Sequence, residues 1–262
     1  MKMEYVWMVV CPLIGIAIIS FLSRKLSART AFIVTALLFI AMAASGIAKQ
    51  IIAIATGYDL WYLPLHFSST FYITVGVSVF AHGKAEHAAQ TILFVGGIIM
   101  CAMILVRPAA ILGNLSGVFT SHIHAHGYFY HMLVVLQFGI MLARGNYRPK
   151  RHDPLFFAGG VALWGAVAIP CAFVFNANYM GILHAYIPFL EQFRIKFGYA
   201  PYLIVYYLGA VLLATLLIYG YGFLRKKLAK RRKKATLPTV ERLFETVERR
   251  AKTLERKTRK RY

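Results

Sequence analysis

Acidic side chains are scarce in this chain, nine Asp and Glu against 30 Lys and Arg, and their placement excludes two kinds of chemistry. Four (Glu241, Glu245, Glu248, Glu255) lie near the C-terminal end, and Glu4, Asp59, Glu86, Asp153 and Glu191 lie at the margins of apolar runs. Ion-coupled transporters bury acids near the bilayer midplane, and no acid occupies such a position here. A paired-carboxylate mechanism lacks its second member for the same reason. Cysteine is equally sparse: Cys11, Cys101 and Cys171 stand singly inside apolar runs, which excludes a disulfide framework and a Cys-rich metal site. There is no Gly-rich phosphate loop and no internal repeat. The glycines are scattered through apolar runs, where close helix packing accounts for them.

What is abundant is apolar surface. With 59% hydrophobic residues and a mean hydropathy of +0.61, the chain exceeds the roughly 45 to 50% of soluble domains. Seven runs approach the roughly 20 residues that cross a bilayer. They lie near Tyr5 to Ser23, Ala31 to Ala55, Leu63 to Ala81, Ala88 to Val106, Gly127 to Ala143, Pro154 to Asn176 and Pro201 to Leu224. The fold class expected is all-α, a polytopic membrane helical bundle of about seven transmembrane helices. The first run lacks a small-residue cleavage site and is expected to remain in the mature protein.

The net charge of +21 is local: 17 of the 30 basic residues fall between Arg225 and Arg261. Together with Arg24, Lys25, Arg29, Lys84, Arg144, Arg148, Lys150 and Arg151, this puts 25 on one side of a seven-span topology. Five, Lys2, Lys49, Arg107, Arg194 and Lys196, remain on the other. Basic residues collect in the cytoplasm, so the N-terminus is expected outside and the C-terminus inside, in a multi-pass protein of the cell membrane. Residues 1–226 would form the transmembrane domain and 227–262 a basic cytoplasmic tail. In that tail Thr239 is expected to cap a helix with Val240, Leu243, Phe244, Val247, Ala251 and Leu254 on one stripe. Such a helix suits anionic lipid headgroups. Nucleic acid ranks behind them, because no aromatics interleave the basic residues.

Leu63-Pro64-Leu65-His66-Phe67-Ser68-Ser69-Thr70 places a histidine and three hydroxyls where the third span begins. With Pro64 in the first helical turn, the period would bring Ser69 and Thr70 onto the face of His66. A base and a hydroxyl would then meet, although hydroxyls in membrane helices also bond back to their own backbone. On this topology His66, His122, His124, His126, His131 and His184 fall on the outer side. His82, His87 and His152 fall in inner loops, where they read as ordinary surface residues. His131, one turn into the fifth span beside Tyr128, is the strongest candidate for a group facing a cavity. The outer loops, Pro108 to His126 and Ala177 to Ala200, exceed plain connections and read as lids or partly re-entrant segments. Ser121-His122-Ile123-His124-Ala125-His126 supports a second reading, a histidine-cluster metal site, since His122 and His126 share a helical face.

Four motifs in order carry a resemblance: Leu63-Pro64-Leu65-His66, His131, Tyr147-Arg148-Pro149 and Asn178-Tyr179-Met180. Over most of residues 31–224 the chain resembles the YwaF-type integral membrane proteins. That family is similar to a transmembrane acyltransferase that remodels ether phospholipids and, more remotely, to androgen-induced/ADTRP-type lipid hydrolases. The resemblance implies lipid metabolism, with acyl esters hydrolysed or transferred from an outward-facing cavity, a phospholipid or acyl-lipid substrate, and no cofactor. It implies histidines at His66 and His131 and a nucleophile near the start of one helix. Bacterial relatives carry Cys where Ser68 stands, and the acyltransferase carries it where Leu65 stands. A hydroxyl of Ser68, Ser69 or Thr70 would therefore attack, with His66 or His131 as base and Tyr128, Asn178 or Tyr179 contacting substrate. A non-catalytic lipid-binding protein is the remaining alternative.

Overall fold

In the computed structural model the backbone is described for residues 5–259, and side chains for 5–231 together with Phe244, Val247 and Glu248. The described residues form helices without a strand. After a π-helical turn, Val6–Val10, come α1 (Cys11–Leu22) and α2 (Ala28–Ala55). Then follow α3 (Thr70–Phe80), α4 (Lys84–Val106), α5 (Pro108–Leu112) and α6 (His122–Arg144). The series ends with α7 (Asp153–Phe175), α8 (Pro188–Phe197) and α9 (Tyr199–Arg259). Six helical stretches are long and apolar enough to cross a membrane, and Phe67–Phe80 is a shorter apolar helix. The polytopic helical bundle expected from the sequence is therefore present.

The helices start where their caps permit. Ser27 Oγ accepts the amide of Thr30 at 3.1 Å and opens α2. Gly145, at φ +70° in the left-handed region, closes α6 by donating its amide to Met141 and Leu142 carbonyls. Two glycines set the approach of α3 to α2. A Cβ at Gly46 would lie 2.6 Å from the Tyr72 hydroxyl, and one at Gly76 would lie 2.8 Å from the Phe39 ring. Phe80 packs edge-on against Phe32 and Phe39. Rising numbers on α3 thus meet falling numbers on α2, an antiparallel pair. Helix α4 packs on α3, α6 and α7, and α6 also packs on α1 and α2, so α4 and α6 form the centre.

The third span differs from expectation. Helix α3 has 11 residues, about 16 Å at 1.5 Å each, against a hydrocarbon core of roughly 30 Å. The rest of that passage is non-helical: a 3₁₀ turn at Leu60–Tyr62, a turn through Pro64 and Leu65, and a second 3₁₀ turn at Phe67–Ser69. Pro64 therefore does not open a helix. His66 is extended (φ −70°, ψ 154°), which removes the helical face that was to carry His66, Ser69 and Thr70 together.

The chain divides into two compact units, Met1–Ile218 and Tyr219–Tyr262. In the second, the backbone is helical on both sides of Thr239, so that residue caps no helix. Phe244 and Val247 are exposed, and the other expected stripe residues, Val240, Leu243, Ala251 and Leu254, lie outside the described side chains.

Candidate functional site

Non-helical backbone at membrane depth needs internal partners for its carbonyls. Side-chain donors meet six carbonyls of the passage from Leu60 to Ser68, with Thr70 Oγ1 on Phe67 O at 2.7 Å and Lys49 Nζ on Tyr62 O at 3.4 Å among them. Tyr179 Oη donates to the Leu60 carbonyl. His66 Nε2 meets the Trp61 carbonyl at 3.2 Å, and Gln50 Nε2 reaches Tyr62 O at 2.8 Å. Trp164 Nε1 donates to Leu65 O at 3.2 Å and Tyr130 Oη to Ser68 O at 2.6 Å. Donors from α2, α6, α7 and the 179 turn thus hold this loop in place.

Those bonds fix the histidine tautomers. A carbonyl only accepts, so Nε2 of His66 carries the proton and Nδ1 keeps a lone pair. His131 is the mirror case: Nδ1 bonds the Gly127 carbonyl at 2.5 Å, leaving the Nε2 lone pair. His126 bonds Ser45 Oγ at 2.8 Å and Tyr72 Oη at 3.4 Å. The His126 ring stacks on Tyr130 at 5.5 Å, and Tyr130 packs edge-on against His131 at 5.1 Å. His66 packs edge-on against Trp61 and Tyr179, at ring separations of 4.3 and 5.4 Å.

The other expected site residues divide. Among the described residues, the Ser68, Ser69 and Tyr128 hydroxyls have no hydrogen-bond partner. Ser68 and Ser69 are half-buried and Tyr128 is buried. Thr70 is buried and returns its hydroxyl to Phe67 O at 2.7 Å, the self-bonded arrangement common for such residues. Asn178 is committed to its own loop: Oδ1 accepts from the amides of Leu183 and His184 at 2.9 and 3.0 Å, and Nδ2 donates to His184 O at 2.9 Å. Tyr179 is fully buried with its hydroxyl on Leu60. Met180, at φ +54°, has its carbonyl held by Tyr206 at 3.0 Å. The Asn-Tyr-Met stretch therefore ties the 178–184 turn to the Leu60 loop.

The histidine-cluster metal reading does not fit. Helix α6 does put His122 and His126 at i and i+4, but His126 holds Ser45 and Tyr72, and His124 fits against Gly113 and Gly117. Among the described residues no three His, Cys, Asp or Glu side chains converge for a metal ion.

At the inner end a network escaped the sequence reading. His87, expected at the surface, is buried and bonds Asp153 Oδ1 at 2.7 Å. Asp153 Oδ2 accepts from Tyr147 Oη at 2.8 Å and from the Lys150 amide at 2.9 Å. The Tyr147-Arg148-Pro149 stretch, flagged only as a motif, thus supplies a buried donor.

With this arrangement in view, comparison with family models matches the TMEM164 family over residues 2–219. The chain belongs to the TMEM164 family. The family match replaces the expected YwaF-type label and takes in the Leu60 to Ser68 loop, all three clustered histidines and the His87–Asp153 network. It stops at the boundary between the two compact units. No curated protein matches the chain, and no solved structure does.

Proposed function

We propose that the outer histidine cluster of this TMEM164 family protein acts on lipid acyl esters, as hydrolase or acyltransferase. The observation carrying this reading is the pair of anchored imidazoles. His66 and His131 each commit one N–H to a carbonyl and keep the opposite nitrogen as a base. Tyr130, next to His131, grips the carbonyl of Ser68, which ties the hydroxyl-bearing turn to the helix of the base.

In the proposed reaction Nε2 of His131 takes the proton of a serine hydroxyl as its oxygen attacks the ester carbonyl carbon. The Tyr128 hydroxyl is a donor for the oxyanion. Collapse breaks the ester C–O bond, and the imidazolium returns its proton to the departing lipid oxygen. Water or a lysophospholipid hydroxyl then attacks the acyl-enzyme, which separates hydrolase from transferase. Lys49, whose Nζ reaches the Tyr62 carbonyl at 3.4 Å and so stands at the same loop, would supply positive charge for a substrate phosphate. The resemblance to an ether-phospholipid acyltransferase and to androgen-induced/ADTRP-type hydrolases points the same way. The basic second unit would rest on anionic headgroups of the cell membrane's inner leaflet.

The test is acyl release and transfer by purified protein in mixed phospholipid and lysophospholipid micelles, read by mass spectrometry. His131→Ala is expected to lower the rate by about 10²- to 10⁴-fold, the usual share of a general base. Activity unchanged in both His66→Ala and His131→Ala overturns the reading. A phospholipid that co-purifies and is never altered would make the protein a lipid-binding one instead.

A further inference from the structure

A cavity of about 260 Å³ lies between the inner ends of α2, α3, α4 and α6, at the opposite end from the histidine cluster. Its lining contains one carboxylate, Glu86, and one guanidinium, Arg144. Each has a local reason to be there: Glu86 sits in the first turn of α4 and Arg144 in the last turn of α6, where helix dipoles favour their charges. Arg144 also donates Nη1 to the Ser23 and Leu26 carbonyls at 2.5 and 3.0 Å, closing the turn between α1 and α2. These reasons do not explain why opposite charges share one cavity without pairing. Among the described residues no salt bridge joins Glu86 to Arg144 or to any other cation.

Neutral groups complete the lining. Gln90 Nε2 donates to Glu86 Oε1 at 3.0 Å, which orients the carboxylate and leaves Oε2 for another donor. Gln137 gives its amide N–H to Thr35 O at 2.7 Å and keeps its carbonyl as an acceptor. Phe32, half-exposed at the wall, adds an aromatic face suited to a cation. Asn146, exposed, stands with Ala28 where the cavity meets the surface. A carboxylate with one oxygen to spare and a guanidinium with donors beyond Nη1 thus give the cavity two poles of opposite charge.

We propose that this cavity binds a zwitterion, with the cationic group against Glu86 and Phe32 and the anionic group against Arg144. Its volume lies below the roughly 300–1,000 Å³ of sites for drug-sized molecules, which suits a small headgroup and leaves no room for acyl chains. Two sources present this chemistry, the headgroup of an ethanolamine phospholipid of the inner leaflet and a free phosphorylated amine. The site is separate from the proposed acyl-ester chemistry and survives its failure.

The experiment uses the full chain in maltoside micelles and reads the thermal-unfolding midpoint against three probes. These are lysophosphatidylethanolamine, lysophosphatidylglycerol, which lacks the ammonium, and water-soluble glycerophosphoethanolamine. The ethanolamine lysolipid is expected to bind about tenfold tighter than the glycerol one, the factor of a single charge-assisted contact. Glu86→Gln, which keeps the shape and the neighbour of Gln90, is expected to erase that preference. Ser78→Leu, filling the cavity without touching either charge, is expected to erase both midpoint shifts. His131→Ala is expected to keep the preference. A shift by glycerophosphoethanolamine alone supports the site and names a free zwitterion; a shift only by the acylated probe supports it and names the lipid. Equal shifts by both lysolipids in the wild type, a preference that survives Glu86→Gln, or one lost in His131→Ala overturns the proposal.

Discussion

His87 Nε2 lies 2.7 Å from Oδ1 of Asp153, a buried pair drawn from positions 66 apart in the chain. It joins the first turn of α4 to the first residue of α7, and the other carboxylate oxygen takes Tyr147 Oη and the Lys150 amide. Asp153→Ala would leave three donors without an acceptor. The expected loss is about 3 to 5 kcal/mol, since each buried donor left unsatisfied costs about 1 to 3 kcal/mol. Exposed His82→Ala and His152→Ala should stay within about 0.5 kcal/mol of wild type. Reversible unfolding in mixed micelles checks both statements, and an Asp153→Ala protein as stable as wild type would contradict the first.

That network shows what the sequence made legible and what it did not. Apolar runs marked the helices because crossing a bilayer requires length and composition that are visible locally. His87 read as a loop histidine because its burial depends on an aspartate 66 residues away. The Leu63 to Thr70 stretch stands out in the sequence, but its local signals point to a helix start that the structure does not form at Pro64 and His66. An apolar run with a leading proline satisfies every local rule for a helix start. What overrides them are hydrogen-bond donors from Gln50, Tyr130, Trp164 and Tyr179, brought in by tertiary structure. Asn178 and Tyr179 were legible as important residues, but only their bonds show that they hold a turn.

The outer turn before α8 carries a pH dependence of definite sign. Glu191 takes Arg194 Nη2 at 2.5 Å and Nε at 2.9 Å, and the Ala185 amide at 2.7 Å. Led by the Arg194 hydrogen bonds, these contacts bring its pKa down from 4.5 to about 2. Because the folded value is depressed, their contribution is complete above about 4.5 and is lost as pH falls from there toward 2. Limited proteolysis at exposed Tyr186 and Ile187 should therefore be as slow at pH 6 as at pH 7, and quicken below about 4.5. Glu191→Gln should speed cleavage there at both pH values, and a variant cut no faster than wild type would show that the pair does not order this turn.

The three hydroxyls of the central stretch can be told apart by what each already does. Thr70 donates to Phe67 O from a buried position, so Thr70→Val should cost about 1 kcal/mol of stability and leave acyl transfer intact. Ser69 has its amide on the His66 carbonyl at 2.9 Å, and its hydroxyl is not tied to α6 by any bond among the described residues. Ser68 has its carbonyl gripped at 2.6 Å by Tyr130, the residue beside His131. Ser68 is therefore the expected nucleophile. Ser68→Ala should lower the rate by about 10⁴-fold or more, as loss of a covalent nucleophile does. Ser68→Cys should retain activity and make it sensitive to iodoacetamide. Tyr130→Phe frees the Ser68 carbonyl and should lower kcat by up to about 10²-fold with little change in KM, the signature of a misplaced nucleophile. Acyl transfer by these variants and Ser69→Ala, five in all and read side by side, decides the matter. Activity that survives Ser68→Ala and disappears in Ser69→Ala would move the nucleophile by one residue and remove Tyr130 from its positioning role.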